Sequence, residues 1–249
     1  MKITILMGGD SSERDVSIMT GVSVYESLKL HHDINLIELG SDLSVIPPNC
    51  IDSEIIFIAL HGGIGENGDI QSFLDRYSFV YNGSGSKSSK MAFNKHLTKR
   101  FAIDNNISTP DFRYHEMENE SDVFNFPDIT FPGPYVVKPN NEGSTMGLSI
   151  VKHKDDLLSA ILFAYEFSDQ ILIERYIGGR EMTVGIIGNK CLPIIEISPK
   201  NDLYDYESKY TKGMSKYSVP ADLPSDIALS MQNDSLKLYN ALGCSNYAR

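Results

Sequence analysis

The sequence predicts a mixed fold in which an α/β region with a parallel sheet precedes a smaller α+β region. Residues 2–7 form a hydrophobic strand that runs through the Gly8-Gly9 turn into a helix, which is the first half of a βαβ unit. Further along, a strand ending at Lys138 and an extended run at 148–151 flank a loop of small polar residues, as in a hairpin. A chain of 249 residues is long enough for two or three lobes.

The net charge, the cysteines and the lengths of the apolar runs limit the classes of protein to which the chain can belong. The net charge of −11 argues against a nucleic-acid partner, because such proteins usually carry a basic face. The three cysteines are far apart and match no metal or disulfide spacing, which favours thiols in a reducing compartment. The apolar run before Gly8 is too short for a signal peptide, and no stretch is long enough to span a membrane. We therefore expect a cytoplasmic protein with no membrane partner.

The N-terminal region brings two titratable side chains to one edge of its predicted sheet. Further parallel strands are expected at 34–39 and 54–60, and the last of these ends at His61 and a glycine-rich loop. Glu13 follows the first strand's turn, so both residues lie at carboxyl ends of strands, where open α/β sheets bind ligands. The alternatives are a helix-dipole carboxylate for Glu13 and a structural side chain for His61.

A helix is predicted after the turn at 81–85. Phe93, Leu97 and Phe101 stand at i, i+4 spacing and predict its apolar face. Lys95 then points away from this face, so simple solvation is one interpretation of it. The polar, acidic residues 110–131 are interpreted as a connector.

The hairpin around Lys138 is the strongest candidate for a phosphate site. The short buried strand 135–137 delivers Lys138 at its end, and residues 140–147 supply glycines and the hydroxyls of Ser144 and Thr145. Unpaired backbone N–H groups and one cation match the diffuse charge of a polyphosphate. The alternative is an ordinary hairpin loop with a solvated lysine.

The C-terminal half alternates short strands with a helix. A helix face is predicted at 157, 161 and 165, followed by strands at 170–176 and 182–187. The glycine-bearing crossover between the two strands predicts a hinge that presents Glu174, Ile177 and Glu181 to a ligand. The tyrosine-rich residues 201–220 suit a closing flap, or else a packed surface loop.

Five motifs in order carry a family resemblance over residues 3–249. They are His61-Gly-Gly-Ile-Gly-Glu-Asn-Gly, Val137-Lys-Pro with Glu142-Gly-Ser, Leu172-Ile-Glu-Arg-Tyr, Glu181-Met-Thr-Val and Tyr204-Asp-Tyr-Glu-Ser-Lys-Tyr. Together they resemble the D-alanine–D-alanine ligases of the ATP-grasp superfamily. The resemblance implies a Rossmann-like N-terminal domain at 1–91, a central ATP-grasp lobe at 92–181 and a C-terminal lobe at 182–249.

The resemblance also implies the reaction and the ATP contacts. One D-alanine is activated as an acyl phosphate and coupled to a second, giving D-alanyl-D-alanine for peptidoglycan precursors. Lys95 and Lys138 would meet the ATP phosphates. Glu174 and Ile177 would hold adenine at the hinge, and Glu181 would hold the ribose. A homodimer is implied as well.

The substrate contacts follow from the same resemblance. Glu13 would take the ammonium of the first D-alanine, in a hydrogen-bonded set with Ser144 and Tyr210. His61 would lie near the carboxylate of that substrate. Lys209 would meet the transferring phosphate, and Arg249 the oxyanion formed by amine attack.

The family pattern continues beyond the position of Arg249. That portion carries the family's ligands for Mg²⁺ or Mn²⁺, and Asp222, Asp226 and Asp234 form no substitute cluster, so no metal ligand is expected within 1–249. We therefore expect a fragment of a longer enzyme or a shortened chain that makes the dipeptide poorly. Two alternatives stay open: another ATP-grasp carboxylate–amine ligase, and a non-catalytic remnant that binds only ATP or a partner.

Overall fold

The computed structural model describes residues 1–200, 211 and 213–249, which divide into two compact units. The first unit is Met1–Phe93 with Gly243–Ala248, and the second is Asn94–Leu242 with Arg249. None of the helices in the described part of the chain has both the length and the apolar character that a membrane span requires. The three-part division at 91 and 181 stays a prediction.

The first unit is built on a parallel sheet of three strands. Strand β1 (Lys2–Gly8) lies between β2 (Asp33–Leu39) and β3 (Ile55–Ile58), and both pairings are parallel. Ile5 and Leu6 point to opposite faces and are both fully buried, which shows that both faces of the sheet are covered. The predicted parallel strands are confirmed.

Helices pack on both faces of this sheet. The face that contains Ile5 packs against α1 (Arg14–Leu28), and the face that contains Leu6 packs against α2 (Ile46–Cys50) and α3 (Asp69–Arg76). The first unit also contains α4 (Ser86–Phe93) and the strand Tyr247–Ala248.

The predicted helix through Phe93, Leu97 and Phe101 is wrong in one respect, because it is interrupted. Asn94 adopts an extended backbone after α4, and its side chain accepts a hydrogen bond from Leu97 N at 2.9 Å. A new helix, α5 (Lys95–Asp104), therefore begins at Lys95. The buried residues of α5 are Lys99 and Ala102, whereas Leu97 is exposed. The predicted apolar face is thus not the buried one.

The second unit contains an antiparallel sheet of four strands in the order β4–β7–β5–β6. Their bounds are β4 (Phe112–Glu116), β5 (Tyr135–Pro139), β6 (Ser149–Val151) and β7 (Gln170–Arg175). Helix α6 (Leu157–Tyr165) covers one face of the sheet and buries Val137 and Ile173 beneath it. The hairpin and α6 are confirmed. The connector predicted at 110–131 is wrong, because it contains β4.

The rest of the second unit consists of short strands and a long helix. Strand β11 (Ile195–Pro199) pairs antiparallel with β8 (Glu181–Thr183) and with β12 (Ser215–Ser218), while β9 (Ile186–Ile187) pairs with β10 (Lys190–Cys191). Helix α7 (Ser225–Ala241) follows. The strand predicted at 182–187 is therefore divided between β8 and β9. Most of the predicted flap, residues 201–210 and 212, lies outside the described residues.

Short 3-10 helices occupy several of the connections. They are Leu43–Val45, Gly63–Gly65, Glu120–Asn125 and Lys154–Asp156.

Candidate active site

In the first unit, Glu13 and the loop after His61 come together at the carboxyl edge of the sheet. Glu13 is only 5% exposed. A Cβ atom on Gly62 would lie 2.8 Å from Glu13 Oε2, so the loop backbone approaches the carboxylate closely. Gly62 has a φ of +63°, a conformation that glycine adopts without strain. The expectation that Glu13 and His61 share one sheet edge is met by this geometry.

Hydroxyl groups fix the strand ends around these two residues. Ser11 Oγ donates to His61 O at 2.6 Å, and Thr20 Oγ1 lies 3.0 Å from His61 Nε2. Ser17 is fully buried; its Oγ accepts from Gly8 N at 2.8 Å and donates to Ala59 O at 2.9 Å. These bonds tie the end of β1 to the segment after β3, so the carboxylate and the imidazole lie on a rigid base.

In the second unit, one buried carboxylate lies between two ammonium groups. Glu174 Oε1 is 2.7 Å from Lys99 Nζ, and Glu174 Oε2 is 2.5 Å from Lys138 Nζ. Lys138 is paired across the sheet with Leu172, and Glu174 with Val136, so Lys138 and Glu174 are diagonal neighbours on one face. That face is opposite to the one covered by α6.

Burial and charge together set the protonation of this cluster. Burial alone would raise the pKa of Glu174, but the charges of Lys138 and Lys99 outweigh it and hold the pKa of this carboxyl below its usual range. Burial lowers the pKa of Lys99, and the Glu174 carboxylate opposes that shift. Glu174 is therefore a carboxylate at neutral pH.

Lys95 lies at the start of α5 and holds the root of the hairpin loop. Its Nζ donates to Asn140 O at 3.2 Å and also to Glu142 O. Asn140 is fully buried, and its Oδ1 accepts from His96 N at 2.7 Å. The interpretation of Lys95 as a simply solvated side chain is therefore wrong, because its ammonium group binds backbone carbonyls of the predicted phosphate loop.

The loop at 140–147 has a strained backbone. Ser144 has a φ of 46° and Thr145 a φ of 66°, values that non-glycine residues rarely adopt. Thr145 Oγ1 is buried and has no hydrogen-bond partner among the described residues. Such strain concentrates at functional sites, and an unsatisfied hydroxyl is a candidate donor to a ligand.

The other predicted residues are more scattered. Ile177 is 55% exposed, and Glu181 is the first residue of β8 and is exposed. Arg249 is exposed at the last position of the sequence. Lys209 and Tyr210 lie outside the described residues. Within the described ranges, no three His, Cys, Asp or Glu side chains gather into a metal site.

Two residues of the second unit were not among the candidates from the sequence. Lys99 was missed although it stands four residues after Lys95, a spacing that places both on one helix face. Asn140 was missed because it was assigned only to the loop. Its Nδ2 donates to Gln170 Oε1 at 3.0 Å and its backbone N donates to Gln170 O at 2.7 Å.

Comparisons with known proteins point to one family. Residues 106–249 match the family model described as D-ala D-ala ligase C-terminus. The chain is 40% identical to the D-alanine–D-alanine ligase of Halalkalibacterium halodurans, over all of this chain and 82% of that protein. The crystal structure of a D-alanine–D-alanine ligase from Bacillus anthracis matches with a TM-score of 0.84 and 36% identity, over 100% of this chain and 81% of that one. The Bacillus anthracis enzyme complexed with ATP matches with a TM-score of 0.83 and 33% identity, over 99% and 80% of the two chains.

Proposed function

The chain belongs to the D-alanine–D-alanine ligase family and has its ATP-grasp fold, and on that premise we propose that it joins two D-alanines at the expense of ATP. The carboxylate of the first D-alanine attacks the γ-phosphorus of ATP, and ADP leaves. The amine of the second D-alanine then attacks the carbonyl carbon of the acyl phosphate. Inorganic phosphate leaves, and the ammonium protons are lost to solvent or to a base.

The first step needs cations against the phosphates. A carboxylate is a poor electrophile until it carries a leaving group, and phosphoryl transfer depends mainly on positioning and on charge stabilisation. The observation that carries the proposal is the strained loop at 140–147 with Lys138 at its root and Lys95 bound to its carbonyls. In this proposal Lys95, Lys138 and the hydroxyl of Thr145 meet the phosphates.

The nucleoside would bind along the end of β7 and the residues that lead from it to the start of β8. Glu174 is proposed to accept a hydrogen bond from the exocyclic amine of adenine, since its carboxylate stays charged. Ile177 is proposed to contact the adenine ring, which suits an exposed apolar side chain. Glu181 is proposed to bind the ribose hydroxyls.

The contacts with the first D-alanine are proposed residue by residue. Glu13 is proposed to bind its ammonium, with Ser144 and Tyr210, and His61 is proposed to lie near its carboxylate. The rigid base under Glu13 and His61 supports this role, because positioning lowers the entropic cost of reaction. Lys209 is proposed to meet the transferring phosphate and Arg249 the oxyanion.

The proposed function also includes a requirement for Mg²⁺, a homodimer and a cytoplasmic location. ATP-dependent ligases of this kind use Mg²⁺, but the described residues offer no ligand cluster that fits it. A homodimer is proposed from the family. Dependence on ATP supports a place in the cytoplasm.

The test is D-alanine-dependent release of ADP, with the dipeptide detected by mass spectrometry. It is run with the 249-residue chain and with any longer protein that its reading frame encodes. We expect ADP and dipeptide in equal amounts with D-alanine and neither with L-alanine. ADP release that does not respond to D-alanine in either protein would overturn the proposed function.

A matched pair of variants tests the phosphate site. Lys138→Ala is expected to reduce kcat/KM for ATP by about a hundredfold or more, because a charge aimed at the transferring group is lost. Lys90→Ala, at an exposed lysine, is expected to leave it unchanged. Equal effects of the two substitutions would remove Lys138 from the site.

A further inference from the structure

We infer that Lys99 is a positioning residue for the nucleotide phosphates, which it never touches, because it neutralises Glu174 and so leaves the charge of Lys138 available. The inference rests on the proposed ATP site. One carboxylate here serves two ammonium groups, each at ion-pair distance: 2.7 Å for Lys99 and 2.5 Å for Lys138. Lysine side chains are rarely buried, so the burial of Lys99 beside a carboxylate that already pairs with Lys138 needs a physical reason.

Lys99 is held too firmly to reach a ligand itself. It is only 6% exposed, and its Nζ donates to Thr109 Oγ1 at 2.7 Å as well as pairing with Glu174. The same Nζ lies 4.9 Å from the centre of the Phe112 ring. By contrast, 19% of the Lys138 side chain is exposed, on the strand that leads into the loop at 140–147. Lys138 is the member of the cluster that a phosphate can approach.

The charges of the cluster do not cancel. Glu174 carries one negative charge against the two positive charges of Lys99 and Lys138. The nearby Asp111 is paired with Arg175 at 3.7 Å, which adds no net charge. Among the described residues, the cluster therefore has one uncompensated positive charge, and it lies on the side of the partly exposed Lys138.

Removal of Lys99 would change this balance. Lys138 and Glu174 would then form a closed neutral pair, and a neutral pair attracts an anion much less than a net charge does. In the intact cluster, Glu174 shares its charge with Lys99, so Lys138 can turn towards a phosphate without leaving a bare buried carboxylate. Lys99 thus acts through the other two residues.

A purely structural role for Lys99 predicts a different pattern of binding. Poor packing or a displaced helix would weaken the binding of base and phosphates alike. A charge role weakens only the part of the affinity that comes from phosphates. The ratio of ATP affinity to adenosine affinity therefore separates the two explanations, because adenosine has no phosphate.

The experiment measures the binding of ATP and adenosine by calorimetry to the purified chain and its variants. Lys99→Met is expected to lower the ratio of the two affinities by about tenfold, since one net charge near the phosphates is lost. Lys99→Arg keeps the charge and is expected to keep the ratio. Lys90→Met is the control at an exposed lysine.

The double variant Lys99→Met/Glu174→Gln provides the decisive comparison. It removes one positive and one negative charge, so Lys138 again carries an uncompensated charge and no buried ion is left without a partner. We expect its ratio to return to within about threefold of the wild-type value. A ratio that is unchanged in Lys99→Met, or as low in the double variant as in the single one, would overturn the inference. A wild-type chain that binds adenosine but not ATP would overturn the inference and the proposed phosphate site together. In that case the D-alanine assay decides separately whether the proposed reaction survives.

Discussion

At the scale of single residues, Glu174 shows how the environment decides what a side chain can do. It lies on the same sheet face as Lys138, and α5 brings Lys99 to its other oxygen. Each oxygen therefore has an ammonium partner, which keeps the pKa of Glu174 low despite its burial. Sequence alone placed Glu174 near a hinge but gave no sign of its two partners, because they come from distant parts of the chain.

The low pKa of Glu174 predicts how its contribution to stability depends on pH. A carboxyl whose pKa is lower in the folded state stabilises the protein fully above its unfolded pKa of about 4.3, and this stabilisation is lost as the pH falls through the folded value. Glu174→Gln would leave Lys99 and Lys138 without a counter-charge and is expected to cost about 3–5 kcal/mol at pH 7. The free energies of urea unfolding of the two proteins should converge as the pH is lowered from 6 towards 3.

Glu118→Gln is the matched control, because Glu118 is exposed and forms no ion pair among the described residues. The prediction is contradicted if the difference in unfolding free energy between wild type and Glu174→Gln stays constant down to pH 3. In that case the two lysines would not hold the pKa of Glu174 below its usual range.

At the scale of elements, the start of α5 explains how one helix delivers two lysines. Asn94 interrupts the helix, so α5 begins at Lys95 and sends Lys95 and Lys99 to the sheet from the same face. The sequence pattern of Phe93, Leu97 and Phe101 suggested one continuous helix, because apolar spacing carries no information about a cap in its middle.

The cap itself can be tested by substitution. Asn94→Ala removes the acceptor of the 2.9 Å hydrogen bond from Leu97 N and is expected to lower the free energy of unfolding by about 1 kcal/mol. Asn94→Asp keeps an acceptor at the same place and should retain most of the stability. Chemical denaturation followed by circular dichroism gives both values. If the alanine and aspartate variants were equally stable, the cap would contribute nothing.

Elements with strong local signals could be predicted, and elements that depend on tertiary partners could not. The strand at β1, the hairpin around Lys138 and helix α6 were all found, because each has a regular apolar pattern and a clear break at its end. Strand β4 was missed because its residues, Phe112–Glu116, are mostly polar and aromatic and are defined by pairing with β7. Lys99 was missed for a similar reason, since a buried lysine is recognisable only with its carboxylate in place.

At the scale of the whole molecule, the chain returns at its far end to the unit in which it began. Residues 243–248 belong with Met1–Phe93, and side chains on either side hold them there. Among the described residues, six hydrogen bonds link this segment to the region before and within α4: Asn82 Nδ2 to Tyr247 Oη, Ser84 Oγ to Ser245 O, Ser245 N to Ser84 Oγ, Ser245 Oγ to Gly83 O, Ser88 Oγ to Gly243 O and Asn246 Nδ2 to Gly83 O. The first unit is thus closed by residues about 160 positions apart.

This closure predicts that removal of residues 243–249 weakens the first unit selectively. The hydrogen bonds are largely exposed, so each is expected to contribute about 0.5 kcal/mol, and the loss of all six should be about 3 kcal/mol in total. Amide hydrogen exchange reports the two units separately within one sample. Exchange in β1 should become faster, whereas exchange in β7, at the centre of the other unit's sheet, should be unchanged and serves as the internal control. Equally faster exchange in both strands would mean that the segment stabilises the two units together. Unchanged exchange in both strands would mean that the hydrogen bonds do not contribute to stability.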